Sequence, residues 1–130
     1  MSTENSIPKK KKSIYVAGPM SGYPEFNFPK FFAVQHEYEA KGWIVYNPAN
    51  KSNEAEVVKH SSFGEGDDKA LMKSGWSFRD AYTWDVTRVI EADAIYMLKG
   101  WEASPGARGE HAVAMAMKSK HSEYEIIYEQ

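Results

Sequence analysis

A chain of 130 residues, 42% apolar and 26% charged, has the composition of one ordinary globular domain. Its 16 basic and 18 acidic side chains almost cancel, which excludes the broadly basic surface of a general nucleic-acid binder but not a site for a small anionic ligand. The chain contains no cysteine, which excludes a disulfide framework, a cysteine-bound zinc and a thiolate nucleophile.

Twelve mostly polar residues open the chain, four of them consecutive lysines. This composition predicts a disordered tail over 1–12, with an arm for a nucleic acid or an acidic partner as the alternative, and a single domain over 13–130. Apolar runs stay shorter than the roughly 18 residues of a membrane span, and the N-terminus lacks the apolar core of a secretion signal. We therefore expect a cytoplasmic protein with no membrane partner and no nucleic-acid partner.

The first half of the domain alternates short apolar runs with a helical pattern. Residues 13–18 form an apolar run that ends in Gly-Pro, which predicts a buried strand followed by a loop over 19–28. Apolar residues at helical spacing predict a helix over 29–41, and the run 43–48 predicts a second strand. The polar, glycine-containing stretch over 49–79 predicts a long surface loop of the kind that serves as a lid or binding loop.

The second half of the domain repeats this alternation. Helical spacing predicts a helix over 79–92, followed by a third strand over 94–98 and a loop of turn-forming residues over 99–106. Residues 107–120 are rich in alanine and methionine and end in lysines, which predicts a helix, and 123–129 predict a last strand. This order predicts a three-layer α/β/α fold of flavodoxin or Rossmann type, with a parallel sheet of four or five strands.

In an open α/β sheet, ligands bind outside the carboxyl ends of the strands. The loop after the first strand therefore supplies the candidate substrate-binding residues Gly18, Pro19, Met20, Ser21 and Gly22. The loop after the third strand leads into a helix, where Ser104 and Gly106 predict a phosphate cradle to which Arg108 adds charge. A simple capping turn is the alternative explanation of Ser104 and Gly106.

Two carboxylates extend this candidate site. Glu110 lies about one helical turn from the expected phosphate, which indicates either a catalytic carboxylate near the sugar or a residue that complements the helix dipole. Asp85 lies inside an apolar helical pattern, either as an exposed carboxylate or as a partner of Glu110 across the mouth of the sheet. The four histidines have no metal-ligand spacing, so we expect no metal site.

The chain resembles the nucleoside 2-deoxyribosyltransferase superfamily, and within it the 2′-deoxynucleoside 5′-monophosphate N-hydrolases. The similar segments are IYVAGPMSG (14–22), NFPKFF (27–32), YNPAN (46–50) and ADAIYMLKGWEASPGARGEHAVA (92–114). The pattern is most similar to a small uncharacterised, phage- or prophage-type branch that is DUF4406-like.

The resemblance implies that Glu110, Asp85 and Tyr15 are catalytic, with Tyr15 hydrogen-bonded to Glu110, and that Ser104 and Gly106 hold a phosphate. The implied reaction is hydrolysis of the N-glycosidic bond of a (deoxy)nucleoside 5′-monophosphate, with no cofactor. A nucleoside deoxyribosyltransferase and a non-catalytic nucleotide-binding protein are the alternatives. The resemblance also implies a homodimer, which the apolar residues around the predicted helix 107–120 favour independently.

Overall fold

The computed structural model of the protein describes residues 11–50, 75 and 77–130. Most of the predicted tail and most of the predicted 49–79 loop lie outside the described residues. The strands and helices are β1 (Ser13–Ala17), α1 (Phe28–Ala40), β2 (Ile44–Tyr46), α2 (Phe78–Glu91), β3 (Ala94–Met97), α3 (Pro105–Lys120) and β4 (Glu125–Tyr128). Their ends differ from the predicted ones by at most two residues.

Two of the three largest differences in the element boundaries have local causes. Strand β2 is shorter than predicted because the side chain of Asn47 accepts a hydrogen bond from the backbone N–H of Ala49 at 2.8 Å and turns the chain into a 3₁₀ turn. Helix α3 begins two residues earlier than predicted, at Pro105, because Ser104 caps it and proline suits a first helical position.

The four strands form one parallel sheet in the order β2-β1-β3-β4. Tyr15 at the centre of β1 lies between Tyr46 of β2 and Ile95 of β3. The chain leaves β1 toward β2 on one side of the sheet and leaves β3 toward β4 on the other side. The direction of the connections therefore reverses between β1 and β3. This four-stranded sheet, with three helices in the described part of the chain, confirms the predicted α/β class. Ligands of such sheets bind at this reversal point, between the loops that follow β1 and β3.

Two apolar cores lie on opposite faces of the sheet. All five residues of β1 are buried, and alternate side chains point to opposite faces. Ile14 and Val16 pack in the core on the α1 side, whereas Tyr15 and Ala17 pack in the core that α2 and α3 cover. The position of Tyr15 in β1 therefore directs its hydroxyl group toward the two helices that follow later in the chain.

A left-handed turn connects the loop after β1 to α1. Glu25, Phe26 and Asn27 have φ angles of 53°, 54° and 63°, a conformation that residues other than glycine adopt rarely. Phe26 and Asn27 are buried, and the Asn27 side-chain amide donates a hydrogen bond to the Pro19 carbonyl oxygen at 3.0 Å. These buried contacts hold the turn against the loop that follows β1.

Candidate active site

A buried tyrosine and a buried glutamate meet beneath the start of α3. The Tyr15 hydroxyl group donates a hydrogen bond to Oε2 of Glu110 at 3.0 Å. Tyr15 is fully buried and Glu110 is 5% exposed. Buried carboxylates are rare in proteins because the charge is costly to remove from water, so a buried glutamate with a dedicated donor is a candidate functional group.

Burial and nearby negative charges keep the Tyr15 hydroxyl group protonated. Burial is the main reason that the pKa of Tyr15 is well above its ordinary value, and the negative charges of Glu110 and Asp85 raise it further. A phenol with such a pKa is a permanent hydrogen-bond donor at neutral pH. Tyr15 can therefore orient the Glu110 carboxylate without exchanging protons with it.

Helix α2 brings Asp85 and Tyr82 to the same site. Burial raises the pKa of Tyr82 to about 12, and the charges of Glu110 and Asp85 add to this effect. Asp85 thus lies close enough to act electrostatically on both Tyr15 and Tyr82. The structure thus places Tyr15 in contact with Glu110 and Asp85 within electrostatic range of Tyr15, and these are the three residues that the resemblance implies are catalytic.

The first turn of α3 is a capped helix start. The Ser104 hydroxyl oxygen accepts a hydrogen bond from the backbone N–H of Ala107 at 3.2 Å, which is the capping arrangement that the sequence left as an alternative. At the second helical position, the N–H of Gly106 has no intrahelical acceptor in a regular helix start. Capping by Ser104 therefore leaves one backbone donor for an anion in this turn, and Arg108 lies exposed two residues further on.

The loops after β1 and β3 are in close contact. A Cβ atom at Gly18 would lie 2.6 Å from Cβ of Leu98, so only glycine fits at the end of β1. Gly100 has a φ of 92°, and a Cβ atom there would lie 2.9 Å from the Tyr23 hydroxyl oxygen and 3.2 Å from Cγ of Pro19. Gly18 and Pro19, which the sequence proposed as ligand-binding residues, thus serve the packing of the two loops.

The rest of the predicted loop after β1 is divided between core and solvent. Met20 is half-buried and packs against the core on the α1 side. Ser21 and Gly22 are exposed, and a Cβ atom at Gly22 would meet no atom within 4 Å. Among these five predicted residues, Ser21 and Gly22 are therefore the two that a ligand above the sheet could reach directly.

Tyr82 and Gly109 belong to the site but were not found by sequence reasoning. The Tyr82 hydroxyl group donates a hydrogen bond to the Gly106 carbonyl oxygen at 2.7 Å. A Cβ atom at Gly109 would overlap with the Tyr82 hydroxyl oxygen. A glycine inside a strongly helical segment was the available signal, since such a glycine usually has a packing reason. The partner of that glycine could not be read from the sequence.

An aromatic cluster lies on another side of α3. The rings of Trp101 and His111 have their centroids 4.2 Å apart, and Nε2 of His111 lies 2.7 Å from the Tyr128 hydroxyl oxygen. Trp101 and Tyr128 also line an open cleft of about 430 Å³ at the carboxyl ends of β3 and β4. His111 therefore points away from the Tyr15–Glu110 pair.

In a comparison with protein families, residues 12–121 match the family described as a domain of unknown function (DUF4406). The chain belongs to this family. The matched residues of the DUF4406 domain extend from the start of β1 past the end of α3, and they include Tyr15, Tyr82, Asp85 and Glu110. Comparisons with curated proteins and with solved structures give no match.

Two further properties concern only the part of the chain that the structure describes. Within it, no helix of the DUF4406 domain combines the length and apolarity that a membrane span requires. The same residues contain no group of three or more histidine, aspartate or glutamate side chains that could hold a metal ion.

Proposed function

We propose that the DUF4406 domain hydrolyses the N-glycosidic bond of a (deoxy)nucleoside 5′-monophosphate and releases the free base and a sugar 5-phosphate. The observation that carries this proposal is the buried Glu110 carboxylate, held by Tyr15 and close to Asp85 beneath a helix N-terminus. The proposal also rests on the resemblance to the nucleoside 2-deoxyribosyltransferase superfamily, whose N-hydrolase members carry these residues at the same spacing.

The start of α3 is the proposed phosphate site. A helix N-terminus attracts an anion through its free N–H groups and its dipole. Ser104 and Gly106 supply a hydroxyl group and a backbone donor there, and Arg108 adds a positive charge. Glu110 follows Gly106 by four residues, a rise of about 6 Å along a helix, which is roughly the distance from a 5′-phosphate to the sugar.

The proposed reaction passes through an oxocarbenium-like transition state. Glu110 attacks C1′ of the sugar, a C1′–O bond forms, and the C1′–N bond breaks with its electron pair going to the base. Asp85 delivers the proton that the departing base needs. Water then attacks C1′, gives one proton to the Asp85 carboxylate, releases Glu110 and forms the sugar 5-phosphate. Tyr15 holds the carboxylate in line throughout, because its hydroxyl group stays protonated.

The test is base release from a panel of nucleoside and deoxynucleoside 5′-monophosphates, followed by chromatography. Glu110→Gln keeps the size of the side chain and an acceptor for Tyr15 but removes the negative charge. We expect it to lower the rate at least about 100-fold, the effect of losing a catalytic group. Glu102→Gln removes an exposed carboxylate from the nearby 3₁₀ turn and should leave the rate unchanged. A wild-type rate for Glu110→Gln would overturn the assignment.

The same assay separates the two alternatives. A transferase would use the same residues, with a second base in place of water as the acceptor of the sugar. If a free base is added and an exchanged nucleotide or nucleoside forms, the activity is transfer rather than hydrolysis. If calorimetry detects binding of a nucleotide but no base is released over many hours, the domain is a nucleotide-binding protein rather than an enzyme.

We also propose that the domain is a homodimer whose contact involves α2 and α3. Met115 on α3 is 52% exposed and Ile90 on α2 is 48% exposed. The small residues Ala112 and Ala116 are exposed on α3 as well. Exposed apolar side chains on adjacent helices suit a helix-to-helix contact between two copies of one chain.

A further inference from the structure

We propose that Tyr82 is a positioning residue, which fixes the first turn of α3 against α2 and so sets Glu110 relative to Asp85. This inference rests on the proposed function for its kinetic consequence. Tyr82 is assigned no contact with the substrate. Its effect passes through the backbone of α3.

The contact that carries the inference is the hydrogen bond from the Tyr82 hydroxyl group to the Gly106 carbonyl oxygen at 2.7 Å. In an α-helix the carbonyl group of residue i accepts the N–H of residue i+4. The carbonyl group that Tyr82 holds is therefore the one that pairs with the backbone N–H of Glu110. The peptide group that anchors Glu110 within α3 is thereby tied to α2.

Close packing fixes Tyr82 from two sides. On one side, Gly109 lies so near that a Cβ atom there would overlap with the Tyr82 hydroxyl oxygen, and a Cβ atom at Gly106 would lie 3.5 Å from the ring. On the other side, the ring of Phe78 is nearly parallel to the Tyr82 ring, with centroids 5.3 Å apart. A glycine in a helix interior is unfavourable by itself, so Gly109 is explained by the approach of Tyr82.

The hydrogen bond to Gly106 does not switch with pH in the neutral range. The pKa of Tyr82 is raised to about 12 by burial and then by the charges of Glu110 and Asp85. Tyr82 therefore remains a donor throughout the neutral pH range. It can fix the distance between the two carboxylates but cannot take part in their proton transfers.

A double-mutant cycle tests the packing. In the wild-type background, Gly109→Ala should lower the melting temperature, because the new methyl group overlaps with the Tyr82 hydroxyl oxygen. In Tyr82→Phe that oxygen is gone and the nearest ring atom, Cζ, lies at 3.5 Å, an ordinary contact. Gly109→Ala should then leave the melting temperature unchanged or raise it. An equal loss in both backgrounds would overturn the inference.

Kinetics test the positioning. Tyr82→Phe should lower kcat about three- to tenfold, the range for one lost neutral hydrogen bond, with little change in KM. In the Tyr82→Phe/Gly109→Ala double variant the melting temperature should recover relative to Gly109→Ala, whereas kcat should stay low. If Tyr82 acted only on stability, the melting temperature and kcat would both recover in the double variant, and this result would contradict the inference.

Tyr124→Phe is the matched control, because the Tyr124 hydroxyl group also donates to a carbonyl oxygen of α2, that of Val89, at 2.9 Å. It should lower the melting temperature without lowering kcat. If the wild-type protein cleaves no nucleotide, the proposed function fails, and ¹³C NMR of the Glu110 carboxyl group decides the inference instead. A chemical-shift change in Tyr82→Phe but not in Tyr124→Phe supports it, and no change in either overturns it.

Discussion

Tyr15 fills a fully buried position in β1, and its hydroxyl group has the Glu110 carboxylate as acceptor. Tyr15→Phe keeps the ring and removes the donor. A hydrogen bond to a charged group is worth about 1.5–3 kcal/mol, so we expect kcat/KM for base release to fall about 10- to 100-fold. Steady-state kinetics beside Tyr124→Phe measure this effect. An unchanged rate would remove Tyr15 from the mechanism.

At this scale, sequence reasoning singled out candidate residues through spacing and a family resemblance, and it missed Tyr82 and Gly109, which depend on packing between helices. Asp85 and Glu110 were singled out by their positions in the predicted helices, and the role of Tyr15 was implied by the resemblance alone. Tyr82 lies in a helical pattern where tyrosine reads as an ordinary core residue. Its proposed positioning role depends on its contacts with Gly106 and Gly109, which belong to a different helix. The spacing of apolar residues within one helix does not predict contacts with another helix.

The N-cap of α3 allows the capping role and the ligand-binding role of one serine to be separated. Ser104→Ala removes the acceptor of the Ala107 N–H and should lower the free energy of unfolding by about 1 kcal/mol. If Ser104 also binds the phosphate, KM for the nucleotide should rise as well. Denaturant unfolding and kinetics measure the two effects.

Ser77→Ala provides the control for the serine cap. Ser77 caps α2 in the same way, since its side chain accepts a hydrogen bond from the N–H of Asp80 at 3.2 Å. Its loss should produce a similar change in stability with no change in KM. If Ser104→Ala behaves as Ser77→Ala does, Ser104 is a cap and the phosphate must be held by other groups.

Strands and helices were predictable from the sequence where the local conformational preference of the residues agrees with their burial in the fold. Apolar runs gave the strands, and Pro29 and Gly42 marked the limits of α1 correctly to within a residue. The left-handed turn before α1 was not predictable, because Glu25 and Phe26 have no intrinsic preference for positive φ. Their conformation is imposed by the burial of Phe26 and Asn27, a tertiary effect.

For the whole molecule, the proposed dimer predicts a mass about twice 14.8 kDa by light scattering at micromolar concentration. Ala116→Glu places a charge on the exposed face of α3 and should return the chain to a monomer, with a loss of activity if the partner closes the site. Ala33→Glu makes the same change on an exposed face of α1 and should leave the mass unchanged. A mass near 14.8 kDa for the wild-type protein would contradict the dimer.

The topology was predictable in class and only partly in detail. Strands that alternate with helices require crossover connections and hence a parallel sheet. The preference for right-handed crossovers places α1 on one face and α2 with α3 on the other once the order β2-β1-β3-β4 is known. That order depends on which pairs of strands bury the most surface, a property of the assembled sheet rather than of any single segment.

Three adjacent left-handed residues, none of them glycine, cost roughly 1–2 kcal/mol each. The sum is a sizeable part of the 5–15 kcal/mol that stabilises a typical domain, and it is borne by the segment between β1 and α1. This segment therefore opens locally at a smaller free energy than the strands beside it.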